Sequence, residues 1–140
     1  MASVFVDSGV WFAAISVGDT RHERATELLR AHAGRLATTD DVLIESWLLT
    51  RNRTHRGIAD RLVDGIVNDG LAEVLATSKR DLTAALRISE VFADQDFSLV
   101  DRTSWVVMER HGIDEAISFD TDFAVYRYGR DRRNAFTIHR

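Results

Sequence analysis

Hydrophobic and polar positions along the 140-residue chain follow two rhythms. Short unbroken apolar runs alternate with longer stretches in which apolar side chains recur every three or four residues. The first rhythm marks buried strands, the second helices that bury one stripe. Ser3–Val6 is apolar and β-prone and stops at Asp7-Ser8-Gly9, which predicts a buried first strand and an abrupt turn. Val10–Ile15 predicts a short apolar helix. Arg21–Ala33 predicts a longer one, with Ala25, Leu28, Leu29 and His32 on one side and Gly34 as its stop. Leu36–Thr38 reads as a strand, and Thr39-Asp40-Asp41 as the cap of a helix over Val42–Arg53 whose stripe is Val42, Leu43, Trp47 and Leu48. Gly57–Asn68 is helical, Ala72–Ala76 a strand, and Ser78 caps a helix to about Phe92. A helix over Asp101–His111, a strand at Ala116–Phe119 and a last strand at Ala135–Ile138 complete the series. Strands alternating with helices predict an α/β fold with a parallel sheet covered on both faces. With no linker or repeat, residues 1–140 read as one domain.

Composition narrows the chemistry. The absence of cysteine excludes disulfides, iron–sulfur clusters, thiolate zinc sites and a cysteine nucleophile. No apolar run approaches a membrane span, and MASVFVDSG lacks the basic start of a secretory signal, so a cytoplasmic protein is expected. The net charge of -4 argues against coating nucleic acid through bulk positive charge, but leaves room for local basic patches around an acidic site. The five histidines show no paired ligand spacing, and there is no GxSxG, P-loop or GxGxxG. A phosphoacceptor aspartate is disfavoured, because the first strand is followed by Asp-Ser-Gly rather than DxD and the only lysine is Lys79.

In an open parallel sheet, ligands bind beyond the carboxyl ends of the strands. Val4-Phe5-Val6 ends in Asp7, and Ile117-Ser118-Phe119 ends in Asp120. Asp101 follows Phe97-Ser98-Leu99-Val100 and opens a helix, so it is read as a third acid at that edge. Glu45 lies inside the apolar run Val42–Leu49, where an isolated carboxylate costs free energy unless a cation offsets it. Each acid also has an ordinary use. Asp7, Asp101 and Asp120 are good helix caps, Asp122 suits a first helical turn, and Glu45 can reach solvent from a stripe edge. Together, convergent carboxylates would suit Mg²⁺ or Mn²⁺ rather than zinc or copper, and such an ion can activate water against a phosphodiester.

Val-Phe-Val-Asp-Ser-Gly at 4–9, the helix-borne Glu45, Phe-Ser-Leu-Val-Asp-Arg-Thr-Ser at 97–104 and Ile-Ser-Phe-Asp-Thr-Asp-Phe at 117–123 resemble the PIN-domain ribonucleases, most closely their VapC-type toxins. The resemblance covers essentially the whole chain. It implies a PIN-like three-layer α/β/α sandwich with a parallel sheet of about five strands. It also implies Mg²⁺- or Mn²⁺-dependent endonucleolytic cleavage of RNA by the toxin of a toxin–antitoxin module, a cognate antitoxin partner and a homodimer. Carried over residue by residue, Asp7 and Asp101 are the principal metal-binding acids, Glu45 the third acid and Asp120 the fourth, with Asp122 able to replace it. Ser8 and Ser104 match small hydroxyl residues of the family's motifs, and both are ordinary helix-start residues as well. Arg102 stands where a small residue is common, which would put a cation beside the metal site.

Two basic segments flank this acidic set. Residues 51–61 carry a net +3 through Arg51, Arg53, Arg56 and Arg61, and residues 121–140 another +3 through Arg127, Arg130, Arg132, Arg133 and Arg140. They are candidate contacts for a nucleic-acid backbone or simply solvated surface. Tyr126 and Tyr128 could stack on bases or fill the core, and the three tryptophans are read as packing or interface residues. Two other functions stay open from the sequence: a non-catalytic RNA- or partner-binding domain of the same fold, and a housekeeping RNA-processing nuclease.

Overall fold

The computed structural model describes residues 2–140. Its five strands are β1 (Val4–Val6), β2 (Leu36–Thr39), β3 (Glu73–Leu75), β4 (Glu115–Ile117) and β5 (Thr137–His139). All pair in parallel in the order β3-β2-β1-β4-β5. β1 is central and buried at every position, as expected of a strand covered on both faces, which explains its unbroken apolar sequence. The helices are α1 (Ser8–Ile15), α2 (His22–Ala31), α3 (Asp40–Arg53), α4 (Arg56–Asn68), α5 (Lys79–Val91), α6 (Leu99–Arg110) and the single turn α7 (Asp122–Val125).

The crossovers from β1 to β2 and on to β3 run one way along the sheet, and the next jumps back past β1 to β4. Right-handed crossovers therefore put α1, α2 and α4 on one face and α5 and α6 on the other, which makes the three-layer α/β/α sandwich. The reversal leaves a crevice between the carboxyl ends of β1 and β4, the switch point where such sheets take ligands. Among the described residues, no helix is long and apolar enough to cross a membrane.

Three expectations need correcting. The helix expected from Asp101 begins at Leu99, and Ser98 caps it by accepting the Asp101 N–H at 3.1 Å. Asp101 is thus the third residue of a helix, not a strand-end acid or a cap. The stripe of α3 is also different: Val42, Leu43, Ser46 and Thr50 are buried, whereas Leu48 is 48% exposed and Ile44 65% exposed. Trp47 is half-buried, and its indole N–H donates to Asp60 of α4 at 2.8 Å, tying the two helices. Finally, the strand expected to run to Phe119 ends at Ile117, which leaves Ser118 and Phe119 in the loop before Asp120.

Under the crevice lies an aromatic cluster. Trp105 of α6 stacks on Tyr126 at 4.3 Å and meets Phe97 and Phe123 edge-on at 4.8 and 5.5 Å. Tyr126 is fully buried, so it is core and not a platform for bases. Such pairs add about 0.5–1.5 kcal/mol beyond burial. They fix α6 against α7, one turn below Asp101 and beside Asp122. α5 is locked to α6 by Asp81, which closes a capping box with Ser78 and receives two hydrogen bonds from Arg110, at 3.0 and 2.8 Å.

Candidate active site

Parallel pairing in the register Val6–Ile117 sets Asp7 next to Ser118. Asp7 caps α1 through its own carboxylate, as Oδ1 accepts the Ser8 N–H at 2.8 Å. Its Oδ2 accepts the Ser118 hydroxyl at 2.9 Å, and Ser118 Oγ in turn accepts the Asp120 N–H at 3.1 Å. One buried serine therefore joins the acids that follow β1 and β4. From α3, Glu45 Oε1 accepts the Ser8 hydroxyl at 2.5 Å, which brings a third acid to the same crevice. Asp101, Asp120 and Asp122 offer carboxylate oxygens that all lie within 4.8 Å of one another. The fold thus gathers all four acids singled out in the sequence, and Asp122 with them.

The electrostatics follow from the crowding. Burial pushes the Asp7 carboxyl up to about 6, helped by the charges of Glu45 and Asp120 and opposed by the bonds from Ser118 and Ser8. Burial likewise pushes Asp101 up to about 8, with Asp7, Asp120 and Glu45 repelling its ionised form. Asp122 is raised as well, by burial and then by Asp120 and Asp96. Among the described residues, none of these five acids has an ion-pair partner. Like charges held together with no cation of the chain to offset them fit a hard divalent ion, and the all-oxygen donor set suits Mg²⁺ or Mn²⁺.

The hydroxyl residues divide differently from expectation. Ser8 is more than a helix-start residue, since it braces Glu45. Ser104 is buried and donates to Val100 O of its own helix at 2.7 Å, a bond that keeps it out of the crevice chemistry. Ser118 was not among the sequence candidates. The only local signal for it is a small polar residue between the apolar Ile117 and Phe119, two positions before an acid. Arg102 also turns away from the acids, donating to Ala85 O of α5 at 3.2 Å and to Ser98 O at 3.3 Å.

The chain matches the PIN domain model over residues 4–127. It is 32% identical over 136 residues to the 23S rRNA-specific endonuclease VapC20 of Mycobacterium tuberculosis, an alignment that spans 86% of this chain and 92% of the relative. The crystal structure of that organism's VapC20, described as a sarcin-ricin loop cleaving toxin, superposes with a TM-score of 0.82 at 29% identity, covering 88% of this chain and 94% of the other. VapBC2 from Rickettsia felis, solved bound to a DNA fragment from its promoter, matches with a TM-score of 0.64 at 12% identity over 97% of this chain and 96% of the other. A toxin–antitoxin complex from Klebsiella pneumoniae matches with a TM-score of 0.63 at 14% identity over 87% and 91%. These two share the fold.

Proposed function

The chain belongs to the PIN-domain family, and from that premise we propose that it is a divalent-metal-dependent endoribonuclease acting as the toxin of a toxin–antitoxin pair. The observation that carries the proposal is the convergence of five carboxylates from the end of β1, α3, α6 and the segment after β4, with no basic partner among the described residues. Asp7 and Asp101 are the principal ligands for Mg²⁺ or Mn²⁺, and Asp120 or Asp122 completes the set. Bound there, the ion supplies an activated water and positive charge at the departing oxygen of an RNA phosphodiester. The chain's own groups do the positioning. Ser118 and the Ser8 N–H hold both oxygens of Asp7 in one orientation. The Ser8 hydroxyl braces Oε1 of Glu45, which would leave the rest of that carboxylate to accept a hydrogen bond from a water in the crevice.

The relative's name extends the proposal to ribosomal RNA as substrate, and hence to action in the cytoplasm. The toxin–antitoxin neighbours support an antitoxin that covers the crevice, where a partner's arginine or lysine would form charge-assisted bonds to these carboxylates. The test has two arms. The purified protein should cleave RNA with Mn²⁺ or Mg²⁺ and fall silent in EDTA. Asp7→Asn and Asp101→Asn should lose about two orders of magnitude or more in rate, the scale of losing one preorganised electrostatic contact, while circular dichroism shows an intact fold. Mapped RNA ends after brief induction should differ between wild type and Asp7→Asn. Equal cleavage by wild type and both variants would refute the assignment.

A further inference from the structure

Several arginines of this chain are already engaged. Arg35, Arg110 and Arg24 pair with acids, Arg102 binds carbonyls of α5 and of the turn before α6, and Arg127 donates to the carbonyls that end α7. The basic segment 51–61 starts six residues beyond Glu45 on α3, and Arg53 lies about 12 Å from Glu45 along the helix axis, against Phe12 of α1. Arg21 is different. It is exposed, it stands at the start of α2, and its side chain crosses to the loop that carries Asp120.

There its guanidinium lies over the Phe119 ring, 4.8 Å from the centroid, and Nη1 donates to Phe119 O at 3.4 Å. No carboxylate pairs with the guanidinium among the described residues. The nearby Asp19 is used by the backbone, accepting the Arg21 N–H at 2.8 Å. Phe119 is half-buried, so it gives the cation a rigid seat against the core. An arginine fixed by its flat face and one donor keeps further N–H groups for a ligand, and loses less freedom on binding than a free side chain. A cation held one residue from a site acid, with no counter-ion, suits a phosphate next to the one being cleaved.

We propose that Arg21, seated on Phe119, is a subsite for an RNA backbone phosphate flanking the scissile bond. The inference rests on the endoribonuclease reading, and binding can test it apart from cleavage. The probe is a short fluorescein-labelled single-stranded RNA, bound to the Asp7→Asn protein across a salt series. One phosphate contact on a single strand contributes about 0.7 to the slope of log K against log salt. Arg21→Gln should weaken binding about tenfold and flatten the slope by about 0.7, whereas Arg21→Lys should keep the slope and lose less affinity. In the otherwise wild-type enzyme, Arg21→Gln should raise KM and leave kcat within about twofold, since the contact is made equally before and during the reaction.

An unchanged salt slope in Arg21→Gln would overturn the proposal, whatever happens to affinity. So would a fall in kcat at constant KM, which would mark Arg21 as a brace for the Asp120 loop. If Arg21→Gln does not fold, Arg21→Met supplies the same charge removal with the stem retained, and the same slope decides. Failure of the wild type to cleave RNA with any divalent ion would instead strike the activity itself and leave the binding slope readable.

Discussion

Ser118 is small, buried and uncharged, yet two acids depend on it. Its hydroxyl donates a hydrogen bond to Asp7 Oδ2 and accepts one from the Asp120 N–H. Ser118→Ala removes the bond that pulls Asp7 down and leaves Oδ2 unpaired in a buried place. Losses of outer-shell partners of this kind cost about 10–100-fold in metal affinity. We therefore expect Ser118→Ala to weaken Mn²⁺ binding by that factor in calorimetric titration, and Ser118→Thr, which keeps the hydroxyl, to recover most of it. The raised acids make a second statement at this scale. A carboxyl raised above its unfolded value contributes stability while protonated, and that contribution is lost as pH climbs through its folded value. For Asp7 and Asp101 the loss runs from about pH 4 up to about 6 and 8. The melting temperature in EDTA should therefore fall between pH 5 and pH 8.5, and Mn²⁺ should reverse most of the fall. Asp101→Asn should flatten the EDTA curve and raise its alkaline end. A melting temperature in EDTA that rises over this range would contradict the account.

At the scale of elements, α6 carries one acid on a helix whose seat is aromatic. Trp105 is one turn past Asp101 and fully buried among Phe97, Phe123 and Tyr126. Truncation of such a side chain costs about 3–5 kcal/mol. In a domain with about 5–15 kcal/mol in total, Trp105→Ala should remove a large share of the stability and lower the urea midpoint markedly, and Trp105→Phe should lower it less. Element type was readable locally for the five strands and the longer helices, because strand and helix rhythms are set by neighbours in sequence. Asp7, Glu45 and Asp120 were readable for the same reason: one follows an apolar strand, one interrupts an apolar helix and one closes the short loop after another strand. Asp101 was found but misplaced, since Phe97–Val100 is as apolar as a strand and only the Ser98 cap reveals a helix. Ser118 was not legible, because its partner lies 111 residues away and the bond exists only in the β1–β4 register. Leu48 looked like core because an apolar stripe shows that a face is covered, not by what.

The whole molecule leaves that face open. Ile44 and Leu48 of α3, Leu82 and Leu86 of α5 and Leu99 of α6 are exposed. Ile44, Leu48, Leu82 and Leu99 line one groove with Glu45 and Asp41. Contiguous apolar surface of this kind marks an interaction site. We expect the isolated protein to cover it with a second copy. Light scattering should give a dimer mass for the wild type and a monomer mass for Leu48→Glu, with the melting temperature of the monomer lower. A monomeric wild type at micromolar concentration would count against self-association.

The residues gathered in the crevice come from both ends of the chain and the middle, positions 7, 45, 101 and 120. No fragment synthesised up to the hundredth residue holds more than two of them. A chain cut short before residue 101 lacks the acids of α6 and of the loop after β4, and cannot assemble the site. The crevice exists only once the segment after β4 has docked beside β1, so the last third of the chain decides when the site comes into being.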